Sequence, residues 1–567
     1  MKNSKSTIFA LVITLITTFG GYYLILPAAN ICDMECWIFI IFQICIYCIF
    51  KNVGNLIFYP KKKQHEVKPK VMTKRGLRLK NPVGIPWKSL TFLVPVIAVV
   101  IFVILSIGSS KMFNAGRYSE ILKVNEEADF NEDIATAVNT EAIALMDTDS
   151  AKMLGDREIG SLSKVVSQYD VSDDYTQIDY NGKPVKVASL EYAGFFKWMN
   201  NKDVGVPGYV TVDPVSMSAE YHECENMMYV PSAFFGQDLY RYVRSHYRTE
   251  MFGDYNFEID ESGNPYYIFP AYKKTIGLFG GKTVKGAVIV NPCNGELTYY
   301  DVKDVPVWAD VVYDGNLICE QYNWYGKLKN GFVNSLFGKK GCKKVTEYRT
   351  TDDDDDDEDV VPANDYGYIA KDGDIWIYTG VTSVNKDSSN VGFLLANERT
   401  GEARYYSISG ADEASAMSAA EGEVQEKGYQ ASFPSLINVN GIPTYIMVLK
   451  DNSGLVKLYA AVNVEQYNIV ATASTQEACI EKYQSLVSGE IVEPEDDTEP
   501  TEKSITIADL KLIDREGDTY LYIITTEQEI YHTGAVASDD NEKALLLKNG
   551  DTITIYCKGS LIETWEY

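Results

Sequence analysis

Three long apolar runs in the first 111 residues constrain the fold most, because each can cross a membrane as a helix. They cover Thr7–Leu26, Trp37–Phe58 and Ser89–Ser110. A helix rises about 1.5 Å per residue, so about 20 residues span the hydrocarbon core of a bilayer. Lys51 interrupts the second run near its end, where a lysine can extend its ammonium group to the headgroups. Residues 1–111 are therefore predicted to form a membrane anchor of three transmembrane helices.

The charge of the chain changes sign where the apolar runs end. Residues 1–111 contain 14 Lys and Arg against 3 Asp and Glu, a net charge of +11. The whole chain has 52 basic and 79 acidic residues, so the other 456 residues have 38 and 76, a net charge of −38. The loop at residues 60–88 is strongly basic, and short basic loops stay in the cytoplasm. We therefore predict a multi-pass protein of the cell membrane with a cytoplasmic amino terminus and an extracytoplasmic bulk.

Two features of the anchor leave alternatives open. The first run is also compatible with a cleaved signal peptide, because basic residues precede it and Pro27–Ala29 resembles a cleavage site. Cleavage there would not change the orientation of the rest of the chain. The basic loop sets the topology, and it is also suited to binding anionic lipid, so the lipid bilayer is one predicted partner.

The composition of the exterior argues against several kinds of function. A net charge of −38 argues against a nucleic-acid partner, which requires a basic surface. The chain has only 4 His, which disfavours histidine-based metal or acid–base chemistry. The 10 Cys show no paired CxxC spacing in the exterior, so neither a structural zinc site nor a cofactor is predicted. A disulfide suits this compartment, but the spacing indicates no pairing.

A strand pattern recurs along the exterior. A Gly-x-Pro turn appears at Gly182–Pro184, Gly263–Pro265 and Gly441–Pro443, and the last two are followed at equal distance by Tyr267 and Tyr445. A β-branched strand follows each turn, because Val, Ile and Thr favour strands. These strands end at Asp213, Asn291 and Asn463, with a further copy ending at Asn397. Matched register predicts that both tyrosines face the same side of their sheets, and likewise Val290 and Val462.

Helical stretches precede several of these copies. They are predicted at Thr136–Leu154, Phe234–Arg248 and Asp412–Lys427. Each unit is therefore a helix followed by two or three antiparallel strands, and about four units fill most of an extracytoplasmic region at residues 112–487. The predicted fold class is α+β, with tandem helix-plus-antiparallel-sheet units after the membrane anchor.

The ends of two strands carry a short motif of the form V-[DN]-x-x-[TN]-G-E. It is present at Val290–Glu296 and less fully at Ala396–Glu402, while the turns after Asp213 and Asn463 lack the Gly-Glu part. In these residues the chain resembles PepSY-like modules, which are small extracytoplasmic α+β units. The resemblance implies a non-catalytic role, such as restraining an extracellular peptidase or sensing the envelope. The general layout is similar to that of uncharacterised membrane proteins of Gram-positive bacteria.

A run of eight acids is the one candidate metal site in the sequence. A run of this kind is typically a solvated, self-repelling loop. It lacks the Gly and the alternating ligands of an EF-hand loop, so loose Ca²⁺ binding is favoured over a specific site. The run comprises Asp352, Asp353, Asp354, Asp355, Asp356, Asp357, Glu358 and Asp359.

The carboxyl-terminal part is predicted to be a separate domain. Residues 488–503 are acidic, contain two prolines and have few apolar residues, which is typical of a linker. Residues 504–567 alternate between apolar and polar positions and contain turn signals such as Asn549–Asp551. This pattern predicts a small all-β barrel or sandwich, with OB-like and SH3-like closure as options.

Three short motifs invite chemical interpretations that we consider weaker than structural ones. His222–Cys224 would place His and Cys on one face of a strand, but no third group is evident to orient the His. Arg241, Arg244 and Arg248 share a helix face, where they are suited to an anionic ligand or, more often, to neighbouring carboxylates. Gly277–Thr283 resembles a phosphate-binding loop, but Ile276 replaces its first Gly, which favours a hairpin tip.

The favoured function is a non-catalytic interaction, scaffold or regulatory protein of a bacterial cell envelope. Its partner would be another envelope protein or a cell-wall polymer. One alternative is an envelope hydrolase that acts on peptide or glycan through carboxylates. Two facing carboxylates about 5–10 Å apart in a concave pocket would favour that enzyme. The other alternative is a membrane sensor, which would need a partner for the short cytoplasmic loop.

Overall fold

The computed structural model shows a mixed α+β protein with apolar helices at its amino terminus and several β-sheets. It describes residues 4–58, 90–134, 145–162, 165–348, 363–364, 366–452, 454–488, 501–515, 518–526, 530–535, 547–558 and 561–566. The chain divides into two compact units, Met1–Val487 and Ser488–Tyr567. The helices are α1 (Ser4–Ile25), α2 (Met34–Phe58), α3 (Leu90–Gly108), α4 (Lys111–Ser119), α5 (Phe130–Asp133), α6 (Thr148–Ser161), α7 (Phe195–Asn201), α8 (Leu239–His246), α9 (Gly315–Leu328), α10 (Glu413–Glu423) and α11 (Gln476–Ser488).

Helices α1 and α2 are each long and apolar enough to cross a membrane, with mean hydropathies of 2.0 and 1.9, which indicates membrane anchoring. They contact each other along their length, and Thr17 Oγ1 donates a hydrogen bond to Gln43 Oε1 at 2.9 Å. Helix α3 contacts α2, where the rings of Trp37 and Phe102 lie 6.3 Å apart. Beyond Gly108 the chain bends by 41° into α4.

The first unit contains four larger sheets, whose strands pair antiparallel except for β1 in sheet III. Sheet I contains β2 (Tyr169–Val171), β3 (Thr176–Tyr180), β4 (Lys183–Tyr192), β5 (Val206–Asp213) and β6 (Ser218–Met227), and sheet II contains β7 (Met251–Phe252), β8 (Asn256–Ile259), β9 (Pro265–Ile276), β10 (Gly280–Val290) and β11 (Leu297–Asp301). Sheet III contains β1 (Val124–Asn125), β12 (Lys343–Val345), β15 (Gly367–Lys371), β16 (Asp374–Ser383), β17 (Lys386–Asn397) and β18 (Ala403–Tyr406), and β13 (Glu347–Tyr348) pairs separately with β14 (Ala363–Asn364). Sheet IV contains β19 (Gln430–Ala431), β20 (Ser435–Val439), β21 (Ile442–Lys450), β22 (Val456–Asn463) and β23 (Val470–Ala473).

The four sheets share one order of pairing. In each sheet, two short strands pair with one edge of a long strand. The other edge of that strand pairs with a second strand, and a final strand pairs with the far edge of the second. Sheet III has β1 as an additional parallel neighbour of β18. The helices α6, α8, α9 and α10 each precede one sheet in the chain. Sheets I and II share one hydrophobic core, and sheets III and IV share another.

The register of the central strand pair is the same in all four sheets. Tyr267 pairs with Val290 in sheet II, and Tyr445 pairs with Val462 in sheet IV, so the predicted register is observed. All four side chains are buried. The position of the tyrosines is occupied by Lys186 in sheet I, opposite Val212, and by Ile377 in sheet III, opposite Ala396.

One side-chain turn closes the second long strand of every sheet. Asn291 Oδ1 accepts hydrogen bonds from the main-chain N–H groups two and three residues later, at 2.9 and 3.3 Å. Asp213, Asn397 and Asn463 do the same in sheets I, III and IV. Asn and Asp favour such turns because their short side chains reach the backbone that follows. The [DN] position of the sequence motif therefore has a local structural cause.

Several predicted boundaries are corrected. Helix α6 begins at Thr148, since residues 145–147 are not helical and Asp147 accepts a hydrogen bond from Ser150 N as an N-cap. Helix α8 begins at Leu239, because Asp238 caps it. Residues 135–144 of the first predicted helix lie outside the described residues.

The second unit consists of strands that pair in the order β24, β25, β26, β28, β27. Its first strand begins three residues inside the predicted linker, and residues 489–500 lie outside the described residues. The strands are β24 (Thr501–Arg515), β25 (Asp518–Thr525), β26 (Ile530–Ala535), β27 (Thr552–Lys558) and β28 (Leu561–Glu566).

Candidate functional site

An open cavity of about 560 Å³ lies where sheet II meets the turn after β17 of sheet III. Four of its lining side chains are cationic, and Asp301 is the one acid among the lining residues. Cations thus outnumber acids among the lining residues, whereas residues 112–567 as a whole have a net charge of −38. The cations are Lys273, Lys285, Lys303 and Arg399.

Arg399 is held by Asp374 with two hydrogen bonds. Its Nε and Nη2 donate to the two carboxylate oxygens at 2.5 and 2.8 Å, which raises the pKa of the guanidinium. Asn397 donates to the same carboxylate at 2.8 Å and also caps the turn that carries Arg399 and Thr400. The turn that ends β17 therefore fixes one wall of the cavity.

The other three cations differ in their ion pairing and in their exposure to solvent. Lys285 forms an ion pair with Glu250. Lys303 lies 3.8 Å from Asp304, but both side chains are well exposed, so water screens this pair and it contributes little. Lys273 is exposed on β9. Lys273 and Lys303 are thus the side chains best placed to meet an anionic group from solvent, with Arg399 behind them.

A cluster of buried carboxyl groups lies close to this wall, where sheets I, II and III meet. Glu258 on β8 is 0% exposed and accepts hydrogen bonds from the main-chain N–H groups of Asp310 and Val311 at 2.7 and 2.9 Å. Asp310 in turn accepts one from Asp179 N on β3 at 2.7 Å. Burial raises the pKa of both Glu258 and Asp310, and the charge of Glu258 raises the pKa of Asp310 further. The pair therefore connects sheets I and II through hydrogen bonds to the main chain.

Glu398 and Lys186 extend the buried cluster toward sheet III. Burial raises the pKa of Glu398 well above its ordinary value, and its main-chain oxygen accepts hydrogen bonds from Val312 N and Tyr313 N at 3.0 and 2.6 Å. Lys186 is 3% exposed, and burial lowers its pKa to about 8. Because these groups are closed off from solvent, their shifted pKa values indicate packing between sheets. They do not form the open carboxylate pair that a glycan hydrolase needs.

The motifs singled out in the sequence occupy structural positions. His222 stacks on Tyr209 with ring centres 5.3 Å apart, and its Nε2 lies 2.7 Å from Thr211 Oγ1. Cys224 packs beside Cys293, and the hydrogen bond between the two thiols lowers the pKa of Cys224. The eight acids of residues 352–359 lie outside the described residues, so the predicted loose Ca²⁺ binding there stays a prediction.

Arg241 and Arg244 of α8, and Arg248 just after it, meet main-chain oxygens and aromatic rings more than carboxylates. Arg244 is buried and donates to Tyr240 OH at 2.9 Å and to two main-chain oxygens. Arg241 lies 3.9 Å from Asp238, and its guanidinium stacks over Tyr23 at 4.0 Å. The main-chain oxygen of Arg248 accepts a hydrogen bond from Ala29 N at 2.8 Å. Helix α8 and the residues directly after it therefore dock on the carboxyl-terminal end of α1 and on the α1–α2 loop.

The glycine-rich stretch is the turn of the β9–β10 hairpin, as predicted. Its turn meets the residue directly after α3, since Ser109 Oγ accepts hydrogen bonds from Leu278 N and Phe279 N at 3.1 and 3.2 Å. The ring of Phe279 lies 5.3 Å from Phe102 and 6.1 Å from Trp37. This stretch packs against helices α2 and α3 of the same chain.

Comparisons with known proteins assign no family. No protein-family model and no curated protein matches the sequence. A cobalt-substituted Synechocystis ACO is 10% identical with a TM-score of 0.17, over 54% of this chain and 62% of that one, less than two thirds of its length. A mutant levansucrase of B. megaterium is 9% identical with a TM-score of 0.16, over 80% and 96% of the two chains. Scores this low show no shared fold and carry no argument about function.

Proposed function

We propose that the chain is a multi-pass, membrane-anchored interaction protein of a bacterial cell envelope, with a non-catalytic extracytoplasmic scaffold. Three spans with a cytoplasmic amino terminus would bring the end of α1, the start of α2 and the end of α3 to the outer surface. Contacts with α8, the residues after it and the β9–β10 turn lie at these ends. They are made by Tyr23, Ala29, Trp37 and Ser109. The basic loop at residues 60–88 supports the same orientation.

The scaffold consists, in this proposal, of four tandem copies of one PepSY-like unit and a small carboxyl-terminal barrel. The shared order of pairing, the shared register and the four equivalent Asx turns support a repeated unit. Units that bury apolar faces against one another form an extended surface for partners. The ring-like order of pairing of β24–β28 supports a barrel.

The cationic cavity is the observation that carries the binding role. It is open to solvent, and Lys273, Lys303 and Arg399 converge on it from separate segments of the chain. Ammonium and guanidinium groups bind phosphate or carboxylate through charge-assisted hydrogen bonds. A cell-wall polymer that carries phosphate groups therefore fits the cavity better than a neutral glycan.

A binding assay tests this role on the full chain in detergent micelles. The ligands are a glycerol phosphate oligomer and an uncharged glucan of similar length. The Lys273→Ala/Lys303→Ala variant should bind the oligomer roughly tenfold more weakly, since two exposed charge contacts contribute about 0.5–1 kcal/mol each. Lys123→Ala/Lys202→Ala removes two exposed charges elsewhere and should leave binding unchanged. Equal losses in both variants, or equal binding of the glucan, would reject the cavity as the binding site.

A membrane sensor is the second candidate, and one observation favours it. The β9–β10 turn and the cavity belong to the same sheet, because Lys273 and Lys285 lie on the two strands that lead to this turn. A ligand that shifts these strands would move their contact with Ser109, directly after α3. Oligomer binding should then change the hydrogen exchange of the α3 end. An unchanged exchange rate there would reject the sensor role and leave the scaffold role as the remaining candidate.

A further inference from the structure

An exposed apolar patch lies on two neighbouring segments just beyond α3. On the loop after α9, Phe337 is 84% exposed, Val333 70% and Leu336 52%, and on α4 Phe113 is 64% and Met112 59% exposed. Single exposed apolar residues are common, but five grouped on two adjoining segments mark an interaction surface. We call these five residues the juxtamembrane patch.

The patch is fixed beside the outer end of α3. Phe332 packs in the small core formed by Tyr118 of α4 and Trp324 of α9, and Lys111 Nζ lies 5.3 Å above the ring of Trp324. An open cavity of about 420 Å³ is lined by Met112 and Phe332 together with Ser106 near the end of α3 and Ser109 directly after it. The patch therefore adjoins the carboxyl-terminal end of α3.

The loop that carries Phe337 is a structured turn. Residues Asn334–Gly338 form a single turn of π-helix, and Asn334 Nδ2 donates to Lys340 O at 3.0 Å while its Oδ1 accepts from Lys340 N at 3.2 Å. Lys339 at the end of the turn has a φ of +47°. The turn thus presents its apolar side chains outward and places two lysines directly after them.

We propose that the juxtamembrane patch sits in the outer leaflet of the same membrane that holds the anchor, with Lys339 and Lys340 at the level of lipid phosphates. Aromatic and aliphatic side chains followed by lysines are the composition of interfacial segments, which bury their apolar side near the acyl chains. The lysines favour anionic headgroups. Lipid is preferred over a second protein copy because the patch adjoins the carboxyl-terminal end of α3. This contact goes beyond the proposed function and does not depend on the cationic cavity.

Photocrosslinking of the full chain in vesicles of phosphatidylcholine and phosphatidylglycerol tests the proposal. Benzoylphenylalanine replaces Phe337 in one variant and Leu455 in the matched control, which is 51% exposed in the turn between β21 and β22. Mass spectrometry of the irradiated chains should show a lipid adduct at position 337 and none at position 455.

Three results would overturn the proposal: no adduct at position 337, equal adducts at both positions, or a crosslink from 337 to a second copy of the chain. A charge test completes it. The Lys339→Glu/Lys340→Glu variant should lose adduct at position 337 in the anionic vesicles while keeping it in pure phosphatidylcholine. Equal yields in both kinds of vesicle would contradict the role given to the two lysines.

Discussion

Glu413→Gln should make the junction between sheets III and IV more stable at alkaline pH. Glu413, at the start of α10, is 3% exposed, and its Oε1 accepts a hydrogen bond from Gly380 N of β16 at 2.6 Å. Burial raises the pKa of Glu413 from 4.5 to about 7, although the hydrogen bonds that its carboxylate accepts oppose the rise. The folded carboxyl therefore holds its proton at pH values where the unfolded chain has lost it. Its contribution to stability is fully present below about pH 4.5 and is lost as the pH rises through about 7.

The magnitude follows from that shift. Between pH 5 and pH 8.5, the wild type should lose about 2.5 kcal/mol that the uncharged Gln keeps. Gln retains an acceptor for Gly380 N. Asn390 donates its Nδ2 to Glu413 Oε2 at 3.5 Å, so a flip of the Asn390 amide, whose Oδ1 makes no hydrogen bond among the described residues, gives the new Gln amide an acceptor. At pH 5 the variant and the wild type should therefore be similar in stability.

Native-state hydrogen exchange is the suitable assay, because a chain with several cores need not unfold in two states. The ratio of the wild-type exchange rate to the variant exchange rate, measured for peptides from β16 and β21, should be roughly 60-fold higher at pH 8.5 than at pH 5. Unstructured peptides supply the intrinsic rates at each pH. Glu423→Gln, on the exposed part of α10, is the control and should show no such change. A ratio that is independent of pH, or that moves in favour of the wild type, would refute the reasoning.

Three further predictions concern single side chains. Ser109→Ala should lower the local stability of the β9–β10 turn by about 1–3 kcal/mol for each N–H that loses its acceptor, and hydrogen exchange of that turn should be faster. Ser106→Ala is the control and should leave this exchange unchanged. Asn463→Ala should lower stability by about 1–2 kcal/mol in thermal unfolding, whereas Asn463→Asp should be tolerated because Asp213 makes the same turn. Burial lowers the pKa of Lys186 from 10.5 to about 8, so its ammonium form destabilises the fold below that pH. Lys186→Met should therefore raise the melting temperature near pH 6. This gain in melting temperature should disappear above about pH 10.

Local rules explain which parts of the fold the sequence could predict. The apolar runs need only length and composition, and both α1 and α2 are found where those runs lie. The match between Tyr267 and Tyr445 follows from turns of equal length, since strand side chains alternate with period two. Asn291 and its equivalents act on the three residues after them, which makes the end of each strand visible in a short motif.

The candidate site could not be predicted because its residues meet only through tertiary packing. Lys273, Lys303 and Arg399 come from segments with no common spacing, and the turn motif gave no sign that Arg399 would face sheet II. The buried carboxyl of Glu258 is a similar case, since alternation along β8 does not indicate an acid held by distant main-chain groups. A buried acid in a strand is visible in the sequence only as an exception to the pattern.

Cysteine labelling of intact cells tests the central claim, an extracytoplasmic scaffold on a multi-pass anchor, most directly. The native cysteines are replaced, and single cysteines are introduced by Ser560→Cys in the carboxyl-terminal region or by Gln64→Cys in the basic loop. A membrane-impermeant maleimide should label the chain with Ser560→Cys and leave the chain with Gln64→Cys unlabelled until the cells are opened. Labelling of position 64 in intact cells, with position 560 protected, would contradict the account.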